Sequence, residues 1–184
     1  QSVLKINRAQ NWDEFRNAAR DFSVPAQNLL YADVEGNIGY QMSGLLPKRG
    51  EGVNGFLPVP GWNSANDWQG FHHHTDLPRC INPESGYFVT ANHDLNAWGI
   101  VSPINIAMSG HRFRRITALL EEKEKLSLED LQRIQYDDYS LEAEQFMAYI
   151  ADDLPDTPAG NGLRDWDCRY APEPHGTVGF EAFY

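Results

Sequence analysis

The sequence predicts an α+β fold on three observations. A β-hairpin pattern occupies residues 27–43, helical periodicity runs through most of 112–153, and the strands precede the helices. Taken in order, Asn11 is a helix cap, Asp13 and Glu14 favour the first turn, and Trp12, Phe15 and Ala19 recur at helical spacing. This predicts a helix ending near Asp21. Gln27 to Asp33 and Ile38 to Ser43 then flank Val34-Glu35-Gly36-Asn37, whose Gly and Asn tolerate the positive φ of a hairpin turn. Residues 44–79 are dense in Gly, Pro, Asn and Trp without a sustained period, and a loop of that length is usually functional or wraps another part of a protein. Tyr87 to Ala91 read as a further strand. Arg112 to Lys123, a segment opening at Ser127, and Ser140 to Asp153 each repeat apolar residues with the period of a helix. The expected organisation is a single unit over 1–184, with 1–100 mainly strand and loop, 101–154 mainly helical, and 155–184 a Pro- and Gly-rich tail. That tail stops at Phe180-Glu181-Ala182-Phe183-Tyr184 without a polar ending, which suggests truncation.

Composition bounds the function. The 184 residues are 41% hydrophobic and 12% aromatic, enough for a sizeable core. With 15 Lys+Arg against 26 Asp+Glu the formal net charge is -11, which repels nucleic acid phosphates and anionic membranes. No apolar run approaches the roughly 20 residues that span a bilayer, so neither nucleic acid nor membrane is an expected partner. The chain begins at Gln1 rather than Met, so this start does not fix a location. Cys80 and Cys168 lack CxxC spacing; a disulfide between them and two free thiols both fit.

The conspicuous polar groups each have a plain alternative. His72-His73-His74, with Asp76, suggests a metal-binding module, but successive residues of an extended segment point to opposite faces. The doublets Asp137-Asp138 and Asp152-Asp153 do not face one another on a helix, so neither is by itself an acid/base dyad. Trp62, Trp68 and Phe71 could give the long loop a non-catalytic binding surface. Asn92, directly after the apolar run Tyr87-Phe88-Val89, reads either as a turn residue or as a functional amide.

A resemblance narrows these choices. Gln27 to Tyr40 resembles the hairpin of the penicillin acylase (penicillin amidase) family of N-terminal nucleophile hydrolases. Leu57-Pro58-Val59-Pro60-Gly61, Asp67-Trp68-Gln69-Gly70, Asn82-Pro83-Glu84-Ser85-Gly86-Tyr87 and Thr90-Ala91-Asn92 resemble successive family motifs in the same order. His111 to Ile116, Leu128-Glu129-Asp130, Gln135-Tyr136-Asp137 and Leu163 to Asp167 continue the match, although Cys168 stands where Gly is common. The resemblance covers nearly the whole chain.

The resemblance implies an amide hydrolase built as a four-layer αββα sandwich, of which this chain is an incomplete part. The nucleophile would be the N-terminal Ser of a large (β) chain freed by self-cleavage, with its own α-amine as base. Gln1-Ser2-Val3-Leu4 does not resemble that start, and the amine of Ser2 is tied up in a peptide bond, so Ser2 is not expected to be the nucleophile. The chain is expected to be an internal β-chain fragment, inactive alone, whose partners are the rest of the β chain, the α chain and an N-acyl substrate. By the same resemblance Asn92 would donate to the oxyanion and Arg112, with Arg115 as the competing choice, would orient the site. No cofactor is required for the chemistry, while Gly55 would offer its carbonyl to a calcium ion in the full-length protein. The resemblance favours a periplasmic or secreted location.

Overall fold

A computed structural model of the chain describes residues 1–104, 106–171 and 175–184. They form two compact units, Gln1–Met108 and Ser109–Tyr184.

The first unit opens with α1 (Ser2–Ile6) and α2 (Trp12–Ala19). Asn11 caps α2 by accepting the Glu14 N–H at 2.9 Å, and Glu14 returns a carboxylate oxygen to the Gln10 N–H at 2.9 Å. The helix buries Phe15, Ala18 and Ala19. Its Trp12 and Phe15 rings lie 5.5 and 5.2 Å from Tyr31 on the first strand.

That strand, β1 (Gln27–Ala32), pairs antiparallel with β2 (Ile38–Ser43), with Leu30 opposite Tyr40, and β2 pairs antiparallel with β3 (Arg79–Ile81). Gly36 takes φ 89° in the hairpin turn. Gly39 serves contact rather than turning: a Cβ there would meet the Trp12 ring at 2.4 Å. Tyr40 is fully buried, edge-on to Trp98 at 5.2 Å, and its hydroxyl donates to Asn28 Oδ1 at 2.8 Å.

One expectation for this unit needs correction. Residues 87–90 form no regular strand; β3 lies earlier, at Arg79–Ile81. Left-handed Asn82 (φ 47°) and Gly86 (φ 73°) turn the chain between β3 and this stretch. Val89 is buried and the Phe88 ring stands 6.2 Å from Tyr40, so the apolar residues pack on the core without joining the ladder. Residues 101–104 and 106–110 contain no helix, and the helical region opens at His111, one residue before the Arg112 at which the sequence pattern begins.

The second unit contains α3 (His111–Leu120), α4 (Leu128–Gln135), α5 (Leu141–Ile150), α6 (Pro158–Arg164) and α7 (His175–Phe183). Ser127 and Asp130 form a reciprocal capping box on α4, while Ser140 and Thr157 cap α5 and α6 through their hydroxyls. Ala143, Met147, Leu154, Leu163, Cys168 and Phe180 make the buried core, flanked by Phe146 and Trp166. The segment read as a tail therefore supplies two helices and half of this core. An antiparallel bridge joins Tyr139 to Arg169. Among the described residues no helix is long and apolar enough to cross a membrane.

Candidate active site

A cavity of about 440 Å³ opens in the first unit. Its polar lining comes from Gln27, Asn28, Thr90, Asn92 and His93, and its apolar lining includes Met42, Ile104 and Ile106. The hairpin register sets Asn28 opposite Met42, which brings both to the cavity. Because the buried Tyr40 hydroxyl donates to Asn28, one wall is tied to the core.

Asn92 is exposed and holds a left-handed backbone, φ 60°. Buried Ala91 precedes it, and its carbonyl accepts the Met108 N–H at 2.9 Å. Asn is among the side chains that best tolerate this conformation, and its primary amide is a neutral donor. A left-handed Asn lining a cavity can therefore present its amide toward negative charge developing on a ligand, without a net charge of its own.

The adjacent His93 accepts the Ala91 N–H at Nδ1, 3.4 Å away. Burial pushes the His93 pKa below the ordinary imidazole value, and Asp94 opposes that shift. His93 directly follows Asn92 in the sequence. Its role depends on a contact two residues back, for which residue types and periodicity give no signal.

Arg112 and Arg115 belong to the second unit, where both line another cavity of about 430 Å³. Arg115 is committed to Asp137 through two bonds of 2.7 and 2.6 Å and lies over the Tyr139 ring at 4.8 Å. The Arg115 hydrogen bond is the main cause of an Asp137 pKa below the ordinary carboxylate range. Arg169 also packs over Tyr139 and pairs with Asp138 at 2.7 Å. Arg115 is thus the centre of a structural network, whereas Arg112 is exposed on the first turn of α3.

The metal expectations find little in the geometry. Gly55 has φ 81°, and a Cβ built there would lie 3.1 to 3.2 Å from the Arg49 guanidinium. The Arg49 positive charge beside Gly55 disfavours a calcium ion at this residue. Among the described residues no group of three or more His, Cys, Asp or Glu is placed to hold an ion. In the triple His, His73 Nδ1 lies 2.7 Å from Thr75 Oγ1, and His74 Nδ1 is buried. Both cysteines are free. Ser2 is a structural residue: 6% exposed, it donates its hydroxyl to the Ala18 carbonyl at 2.7 Å.

Comparison with known proteins first defines the fold. The structure resembles a thermostable penicillin G acylase from Alcaligenes faecalis with a TM-score of 0.72 and 24% identity, over 94% of this chain and 32% of that one. The family follows from sequence. The penicillin amidase family model matches residues 1–184, and the chain belongs to that family. Penicillin G acylase of Escherichia coli is 35% identical over 65% of this chain and 14% of its own length. Acyl-homoserine lactone acylase QuiP of Pseudomonas aeruginosa is 32% identical over 74% of this chain and 16% of its own length. The chain thus spans about one seventh of these curated relatives.

Proposed function

We propose that this chain supplies the oxyanion-binding part of an acylase that hydrolyses an N-acyl amide. The left-handed Asn92 beside a cavity is the observation that carries this reading. Similarity to a penicillin G acylase and to an acyl-homoserine lactone acylase supports a substrate in one of those two classes. The whole protein is an N-terminal nucleophile hydrolase, and this α+β chain is an incomplete section of its four-layer αββα sandwich. Its nucleophilic Ser lies outside residues 1–184, so these residues alone turn over no amide.

The chemistry follows from charge. Attack of a hydroxyl on the amide carbonyl places negative charge on the carbonyl oxygen, and the Asn92 amide donates a hydrogen bond to it. The α-amine of the nucleophilic Ser takes the hydroxyl proton and passes it to the leaving amine as the C–N bond breaks, leaving the acyl group on the Ser oxygen. Water then attacks that ester and releases the acid, so the reaction needs no cofactor. By the family resemblance Arg112 is the orienting residue in the whole protein rather than Arg115, whose guanidinium is held by Asp137. The rest of the β chain and the α chain are the macromolecular partners.

A second reading rests on the exposed Trp62 and Trp68 in the long loop, which suit a non-catalytic binding surface. One experiment separates the two. The full-length protein is assayed on a panel of N-acylated β-lactams and acyl-homoserine lactones, alone and as Asn92→Ala. The acylase reading expects hydrolysis of at least one class and a fall in kcat of about 10²- to 10³-fold in the variant. Absence of hydrolysis across the panel, or an unchanged kcat, overturns it.

A further inference from the structure

The left-handed turn at Asn92 is bracketed by two hydrogen bonds. The Ala91 N–H, before the turn, donates to His93 Nδ1 after it, at 3.4 Å. The Asn92 carbonyl accepts the Met108 N–H at 2.9 Å. Ala91 is only 3% exposed, so an acceptor for its backbone N–H matters. A backbone N–H can only donate. His93 Nδ1 must therefore keep its lone pair, and the proton of the neutral ring sits on Nε2.

We propose that His93 is a positioning residue for Asn92: its neutral ring, accepting the Ala91 N–H, closes the turn that presents the Asn92 amide to the cavity. This deepens the acylase reading and rests on it. Protonation of the ring places a second N–H against the Ala91 N–H and removes the bond. The turn then loosens, and the donor is lost where it matters, at the oxyanion of the transition state. Since the oxyanion forms after substrate binds, the loss appears in kcat while KM is largely preserved.

Burial, not charge, favours the neutral form. Asp94, next in sequence, pulls toward protonation, but burial prevails, and the other residues lining the cavity are uncharged. The turn is therefore intact at neutral pH. It opens as pH falls through the His93 pKa, below the ordinary imidazole range.

The test compares kcat and KM against pH in the full-length protein and its His93→Ala, His93→Asn and Asn92→Ala variants, using the panel substrate hydrolysed fastest. His93→Ala is expected to lower kcat about tenfold with KM within about twofold, as loss of a positioning contact does. In His93→Asn, Oδ1 takes the place of Nδ1 and accepts the same N–H at every pH. It is expected to restore kcat and to move the acid-side fall in activity to lower pH. Selective ¹⁵N-histidine labelling should give an unprotonated Nδ1 at neutral pH, a readout that does not depend on the alanine variant folding. The proposal is overturned if His93→Ala keeps the parental kcat, if His93→Asn is no better than His93→Ala, if the acid-side fall is unmoved, or if Nδ1 carries the proton. Loss of activity in Asn92→Ala alongside any of these leaves the acylase reading standing; an unchanged Asn92→Ala removes both.

Discussion

In the unit formed by Gln1–Met108, a fully buried aromatic side chain, Tyr40, meets rings and polar groups drawn from distant parts of the chain. In the unit formed by Ser109–Tyr184, capped helices pack around Ala143, Met147 and Phe180, and an Arg–Asp network surrounds Tyr139. The first arrangement supports irregular backbone, including left-handed Asn82 and Asn92, around a polar cavity. The second accumulates many local contributions. The first unit should accordingly respond most to loss of one core contact, and the second in smaller increments that depend on pH.

The largest expected effect is at Tyr40. Tyr40→Ala should destabilise the chain by about 3–5 kcal/mol, the range for emptying an aromatic site in a core. Tyr40→Phe, which loses only the bond to Asn28, should cost about 1 kcal/mol. Urea unfolding measures both. Equal losses in the two variants would mean that the ring is not the organising contact and would break the comparison.

Arg115 sharpens it from the other side. Replacing Arg115 with Met removes two charge-assisted bonds to Asp137 and should cost about 2–3 kcal/mol at neutral pH. Because Arg115 lowers the folded-state pKa of Asp137, the stabilisation is present above the unfolded carboxylate value and is lost as pH falls through the lowered folded value. The stability difference between parent and Arg115→Met should therefore shrink below about pH 4, where the unfolded carboxylate begins to protonate. A difference constant from neutral pH down to acid unfolding would refute the assignment.

A smaller increment belongs to Ser127, which accepts the Asp130 N–H at 3.1 Å to start α4. Ser127→Ala should cost about 1 kcal/mol, measured by urea unfolding, with loss of helical circular dichroism confined to a fraction of the signal.

That cap was legible in the sequence, as was Asn11, because one side chain and its position three residues before a backbone N–H suffice. The hairpin was legible too, since Gly36 and Asn37 mark the turn, and the turn fixes the register. Helix α1, strand β3 and helices α6 and α7 were not. Five residues in α1 and three in β3 are too few to express a period. In α6 and α7 the glycines that suggested a tail permit close packing instead: a Cβ at Gly160 would meet the Pro155 carbonyl at 2.0 Å, and one at Gly176 would meet Trp166 at 2.3 Å. Asn92 was reached through the ordered resemblance, whereas Gln27, Asn28 and His93 required the folded cavity. Polar residues near a strand end do not say which of them converge.

The smallest expected stability effects, at Asn92 and Cys168, compare the units most directly. Both residues are left-handed, with φ 60° and 59°. Glycine relieves such strain by about 1 kcal/mol in a non-Gly residue, and by less in Asn, but adds entropy to the unfolded chain. At Cys168 the relief opposes the loss of a thiol that is 7% exposed within the core, and these effects are of similar size, about 1 kcal/mol each. Cys168→Gly should therefore move the urea midpoint little, by the equivalent of about 0.5 kcal/mol or less. Asn92→Gly should be equally quiet in stability, because Asn already tolerates the conformation. Their consequences for activity should differ. Cys168→Gly keeps the donor, while Asn92→Gly removes it from an intact turn and should lower kcat of the full-length protein by about 100-fold or more. Equal activities in the two glycine variants would mean that the left-handed turn, and not the Asn92 amide, is what the first unit contributes.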